Sequence, residues 1–150
     1  MSATDPSSSP DHGTDLGAHP GADLGAGLAE APEHRRSRLG LAALMLGAGA
    51  LHFVVPRMFD EIIPRPLGRP RFWTYASGVV EVTCGALLLT RRTERVGGAA
   101  SAATIVAVYP ANIKAALDAG APTNVAAAFT WLRLPMQFPL LRWALRHAQA

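Results

Sequence analysis

Glu81 and Arg133 stand near the middle of two apolar stretches, Phe72–Thr90 and Thr123–Leu145. A lone charge there costs about 2.5–3.5 kcal/mol even on the mildest scale for insertion into lipid. Each lies roughly ten positions into its stretch, which at about 1.5 Å per residue places both at a similar depth if the two helices start from the same side. Opposite charges at one depth predict an ion pair, serving either to fix helix register or as part of a functional pocket. Four further polar residues fall in the same half of the apolar region: His52, Tyr109, Asn112 and Gln137, the last one turn beyond Arg133 on the same helical face. Pro110 and Pro135 would free the carbonyls of Val106 and Trp131, which must find other donors in a membrane. The six candidate pocket residues are therefore Glu81, Arg133, His52, Tyr109, Asn112 and Gln137, with no catalytic assignment. Their donors would suit the carbonyls of a quinone headgroup, and the Glu81–Arg133 couple could hold a proton.

Other chemistries lack their residues. Cys84 is the single cysteine, so the chain has neither an internal disulfide nor a dithiol, and we expect it to be a small packing residue. His52 has no second His or Cys at a usable spacing, so neither haem nor metal is expected, and no flavin motif is present. His12, His19 and His34 are scattered in a polar N-terminal stretch and are expected to bind nothing specific.

The elements that must position these groups follow from the alternation of apolar and polar blocks. Residues 1–37, rich in Ser, Pro, Gly, Asp and His, lack apolar periodicity and are expected to form a disordered cytoplasmic tail. Residues 38–147 then form a transmembrane domain with helices over about 39–55, 72–90, 96–117 and 123–145: an all-α, four-helix transmembrane bundle. The first stretch follows Arg35-Arg36-Ser37-Arg38 and ends near a small-residue run, Ala48-Gly49-Ala50. It could be a cleaved signal, but we read it as an uncleaved span because three apolar blocks follow. Between the first two blocks, residues 56–64 place Met58, Phe59, Ile62 and Ile63 on one side of a turn and Arg57, Asp60 and Glu61 on the other, which predicts a short interfacial helix. Pro64, Pro66 and Pro70 predict an extended link after it. Small residues at helical spacing, Gly40, Ala43, Gly47 and Ala50 in the first block and Ser77, Gly78 and Gly85 in the second, predict close helix approach.

Composition agrees with this layout. Hydrophobic residues make up 49% of the 150 residues and charged ones 17%, and mean hydropathy is +0.17 despite the polar start. The net charge of +3 comes from arginines at block edges, which we read as topology signals and lipid contacts, with no nucleic-acid partner. Arg35, Arg36, Arg38, Arg91, Arg92, Arg95, Arg142 and Arg146 fall on one side of a four-span layout. Arg57, Arg65, Arg69, Arg71 and Lys114 fall on the other, Lys114 expected to reach for the headgroups. Both termini are accordingly expected in the cytoplasm of a bacterial cell, the protein being multi-pass in its cytoplasmic membrane.

Leu51-His52-Phe53 with Pro56, Ser77-Gly78-Val79-Val80-Glu81, Tyr109-Pro110-Ala111-Asn112 and Trp131-Leu132-Arg133-Leu134-Pro135-Met136-Gln137 together resemble the DoxX-like family of membrane proteins, over about residues 39–147. The resemblance implies four transmembrane helices and, for some relatives, association with membrane redox or oxidative-stress systems. Tyr109 stands where the family usually has Phe. Three functions follow for test: an accessory subunit of a membrane redox protein partner with a quinone-type ligand, a small-solute or proton-linked carrier working as a homo-oligomer, or a structural assembly or chaperone subunit. An enzyme with chemistry of its own is not expected.

Overall fold

Proline opens three of the helices and is the second residue of a fourth. Pro32, Pro56 and Pro70 begin α1 (Pro32–Val54), α2 (Pro56–Asp60) and α3 (Pro70–Leu88), and Pro110 follows Tyr109 in α5 (Tyr109–Ala119). A first-turn proline has no N–H to leave unpaired, and its fixed φ already suits a helix. α4 (Glu94–Ala107) starts with an acidic residue, favourable at the positive end of the helix dipole. α6 (Val125–Ala148) is capped by Asn124, whose side-chain oxygen accepts from the Ala127 N–H at 2.9 Å. These assignments come from a computed structural model that describes residues 30–150, and they concern the unit Pro32–Ala150.

All regular structure among the described residues is helical. Three expectations change in detail. α1 begins at Pro32, so residues 32–37 are helical and do not belong to a tail; residues 1–29, with His12 and His19, lie outside the described residues. The third apolar block is two helices separated at Val108, because Pro110 cannot donate to the Val106 carbonyl. The proline link between α2 and α3 contains one 3₁₀ turn, Arg65–Leu67, before Gly68 and Arg69 take left-handed φ angles of 53° and 41°. α6, by contrast, runs unbroken through Pro135 and Pro139.

α1 packs along α3, α3 against α4, α4 along α6, and α5 against α6. Close approach depends on glycines, though not on the stripe expected in α1. Gly47 faces open space, whereas a Cβ on Gly49 would lie 2.8 Å from the Gly78 carbonyl and from the Val82 nitrogen. Gly78 and Gly85 do meet α1, as expected: a Cβ at Gly85 would be 2.9 Å from the Leu46 nitrogen. On the other side of the bundle, Gly98 fits against the backbone of α6.

Beside an apolar core of Leu41, Met45, Leu88 and Ile105, many polar groups are buried and many large apolar ones exposed. Arg38, His52, Thr74, Glu81, Glu94, Ser101, Thr104, Gln137 and His147 are buried, while Leu51, Val79, Val80, Val106, Phe129, Leu132 and Phe138 are exposed. Exposed apolar side chains in this number are what a face meeting lipid or an apolar partner would carry. Two segments, Pro32–Val54 and Arg91–Ala119, are long and apolar enough to cross a membrane. α3 and α6, which carry Glu81 and Arg133, fall short of that measure.

Candidate functional site

His52 sits two residues before the end of α1, Glu81 in mid-α3, Asn112 in the first turn of α5 and Arg133 in the first half of α6. Their helices bring all four to the wall of one cavity of about 160 Å³, closed by Phe59 and Ile62 from α2 and the turn after it. That volume is ample for several waters or a small polar group.

The acid and base do not pair directly. Glu81 and Arg133 line the same cavity without an ion pair. The basic atom close to the carboxylate is His52 Nδ1, at 3.5 Å from Oε2. The same Nδ1 is 2.9 Å from the Ala48 carbonyl, which can only accept, so the ring carries its proton there. At 3.5 Å the Glu81 contact is too long to be a good hydrogen bond, and Glu81 Oε2 is buried with no hydrogen-bond partner. Arg133 is half-buried, with its guanidinium 5.2 Å from the Phe129 ring centre. It also borders a more open crevice shared with Glu61 and Asp118. The two charges thus line one cavity, which separates them.

Tyr109 and Gln137 belong elsewhere. They border a small apolar crevice with Ile105, Val106, Phe138 and Leu141. Gln137 Nε2 donates to the Ile105 carbonyl at 2.7 Å, and Tyr109 meets Phe138 edge-on, 6.3 Å between ring centres. The i, i+4 relation put Gln137 on the face of Arg133, but the partner opposite that face changes at Val108, from α4 to α5.

The segment expected to form a short interfacial helix closes the cavity. Phe59 stacks on His52 with ring centres 3.7 Å apart. Asp60 turns inward, accepting from Arg71 Nε at 2.8 Å and from the Thr74 hydroxyl at 2.7 Å. Those hydrogen bonds, the Arg71 one first, hold the Asp60 carboxyl below its ordinary range. Lys114 donates to the Glu61 carbonyl at 3.0 Å and pairs with Asp118, so it ties α5 to this closure rather than reaching for headgroups. An apolar groove of about 580 Å³ adjoins the cavity, sharing Ile63, Ser77, Val108 and Ala111 with it and extending past Trp73 and Val80.

A second polar cluster lies at the opposite end of α1, and sequence reasoning missed it. Glu94 and His147, each 2% exposed, meet at 2.7 Å, and His34 Nε2 reaches the same carboxylate oxygen at 2.6 Å. Ser37 Oγ is 3.1 Å from His147 Nε2 and accepts from Trp143 Nε1 at 2.9 Å. Arg38 Nη1 donates to the carbonyl of Leu88, the last residue of α3, at 2.6 Å. Each of these residues stands at the edge of an apolar block, where a charge is ordinarily solvated, so only the fold reveals their convergence.

No curated protein and no solved structure matches this chain. One family does match, over residues 41–148, a span that includes the residues lining the cavity and, of the second cluster, Glu94 and His147 but not His34. The chain belongs to the family described as Domain of unknown function (DUF8561).

Proposed function

We propose that the chain is a DoxX-like, four-span membrane protein that binds a quinone or quinol headgroup and serves as an accessory subunit of a membrane redox system. The spans are α1, α3, the α4–α5 pair and α6, with both termini in the cytoplasm and the cavity towards the outer face of a bacterial cytoplasmic membrane. Apolar residues exposed on all four support this: Phe53 on α1, Val79 on α3, Val106 on α4 and Phe138 on α6. A carboxylate and an arginine inside α3 and α6 would lower their mean hydropathy without preventing insertion, since both side chains face the bundle.

The observation that carries the functional reading is the partnerless Glu81 Oε2, buried beside a cavity that also presents Arg133 and Asn112. A buried acceptor left unmade costs about 1–3 kcal/mol, and a ligand that donates to it recovers that cost. A quinol hydroxyl donates to Glu81, while Arg133 and Asn112 donate to the ring oxygen across from it. The adjoining apolar groove suits an isoprenoid tail. Electrons would come from a partner protein.

The test is binding of a short-chain quinol and the matching quinone to the full chain in detergent, read by calorimetry and by quenching of Trp73. Saturable binding that Glu81→Gln and Arg133→Ala each weaken about tenfold, an energy of about 1.4 kcal/mol, supports the proposal, provided circular dichroism shows the bundle folded. Folded protein that binds neither ligand, or binds both equally well without Glu81 and Arg133, overturns it. Liposome flux that depends on Glu81 without quinol binding would transfer the cavity to the carrier reading.

A further inference from the structure

His34, Glu94 and His147 come from three different helices, separated in sequence by 60 and 53 residues, yet their ring nitrogens meet at one carboxylate oxygen. Two of the three residues are 98% covered, while His34 remains partly open to solvent, its side chain 37% exposed. Two imidazoles and a carboxylate are the ligand set that first-row divalent ions take from proteins. Among the described residues, no other group of His, Cys, Asp and Glu brings three ligand atoms together within 4.8 Å.

We propose that His34 Nε2, Glu94 Oε1 and His147 Nδ1 form a binding site for one divalent transition-metal ion, zinc by class, at the end of the bundle where α1 and α4 begin and α6 ends.

The surroundings can orient the ligand atoms for a metal. Trp143 Nε1 can only donate, so Ser37 Oγ accepts from it and keeps a second lone pair towards His147 Nε2. With the His147 proton on Nε2, donated to Ser37, Nδ1 presents a bare lone pair to the carboxylate side. Orienting the ligand imidazole through its other nitrogen is how metal sites fix the tautomer. Arg38 Nε lies 3.7 Å from Glu94 Oε2, the other oxygen, and so favours one-oxygen ligation through Oε1. A 2+ ion also relieves the crowding of two ring nitrogens at one oxygen. At bond lengths of about 2.0–2.1 Å, tetrahedral ligands stand roughly 3.3 Å apart. The present 2.6 and 2.7 Å separations must therefore open by about 0.6 Å when an ion binds. Three protein ligands leave the fourth position to water from the side where His34 is exposed, the arrangement of sites that exchange a ligand rather than of closed structural ones.

This inference does not depend on the quinol reading, since the two clusters lie at opposite ends of α1. The experiment uses the full chain in detergent, stripped with a chelator and titrated with Co²⁺ and with Zn²⁺, in parallel with a variant carrying His12→Ala and His19→Ala. Expected are one ion per chain by elemental analysis and visible Co²⁺ bands typical of four-coordination, both retained when His12 and His19 are replaced. His147→Gln should weaken binding at least a hundredfold, His34→Gln at least tenfold, and Ser37→Ala about tenfold, as loss of an orienting partner does elsewhere. His34→Gln changes a partly exposed residue, so the bundle should stay folded and the comparison remains decisive if His147→Gln unfolds. A folded, stripped protein that takes up neither ion at equimolar metal overturns the proposal. So does uptake unchanged by His34→Gln or abolished by His12→Ala with His19→Ala.

Discussion

Replacing Gly49 by alanine tests whether α1 and α3 touch as closely as the geometry requires. The added methyl would lie 2.8 Å from the Gly78 carbonyl oxygen, the Val82 nitrogen and Val82 Cγ2. The first two are backbone atoms that cannot swing aside, so the helices must separate by several tenths of an ångström. Overpacking of this sort costs about 1–3 kcal/mol. Against it stands the gain from replacing glycine inside a helix, about 1 kcal/mol. With two backbone obstacles the cost belongs in the upper half of its range, leaving a net loss of about 1–2 kcal/mol. That is a roughly 5- to 30-fold drop in the folding constant. Gly47→Ala is the internal control: it lies two residues away on the same helix, meets nothing within 4 Å, and should keep the propensity gain. Unfolding in mixed detergent micelles with increasing dodecyl sulfate, followed by circular dichroism, gives both values from one titration. If Gly49→Ala proves as stable as Gly47→Ala, the close approach of α1 to α3 is wrong and the placement of His52 opposite Glu81 falls with it.

Further consequences follow from the closure and from the two residues that left the site. Asp60 has its folded pKa depressed by Arg71 and Thr74, so the contact stabilises fully above the unfolded carboxylate value near 4 and is lost as pH falls through the lower, folded value. Hydrogen exchange over residues 56–69, corrected for intrinsic rates, should therefore rise on acidification below about pH 4. Asp60→Asn should raise exchange already at neutral pH and remove that acid dependence, whereas exchange indifferent to both refutes the anchoring role. Gln137→Met removes a hydrogen bond to Ile105 but also a buried carbonyl oxygen without a partner. Stability should change by less than about 1 kcal/mol, and quinol affinity not at all. Tyr109→Phe should likewise leave affinity unchanged, and a tenfold loss in either variant would return these residues to the cavity.

Apolar blocks separated by arginines were enough to place the long helices, because hydropathy over twenty residues is a sum that local exceptions do not cancel. Counting residues from the block edges gave Glu81 and Arg133 a similar depth and put His52, Tyr109, Asn112 and Gln137 in the same half; of these six, His52, Glu81, Asn112 and Arg133 line one cavity. Azimuth was harder to read. The expected small-residue stripe Gly40, Ala43, Gly47 and Ala50 is mostly exposed, while the contact face runs through Leu41, Ala42, Met45, Gly49 and His52. A helix whose outside and inside are both apolar carries little periodic signal, so a rotation of one residue goes unnoticed. The same ambiguity misassigned Gln137. The Glu94 cluster escaped for a different reason: its members lie at the ends of three helices, and sequence alone gives no distance between helix ends.

The distribution of contacts also bears on where a ligand can enter. In lipid, helices are held by close packing and by hydrogen bonds, not by exclusion of water. On that measure α1, α3, α4 and the C-terminal half of α6 form the rigid part, with Gly49, Gly78, Gly85 and Gly98 at backbone approaches and Gln137 bonded to Ile105. The other end is built differently. α2 has no buried residue, and α5 buries only Ala115 and Ala116. The cavity, the apolar groove and the Arg133 crevice all border α2, the turn after it or α5. What fastens that end is a few polar links: Asp60 to Arg71 and Thr74, and Lys114 to Glu61 and Asp118. On the proposed quinol-binding reading, entry between α3 and the α4–α5 break would displace the closure by breaking partly exposed hydrogen bonds and leave the glycine contacts untouched. On that reading the glycine-packed helices would hold Glu81 in place, and the opening would fall to α2 and α5, which bury the least.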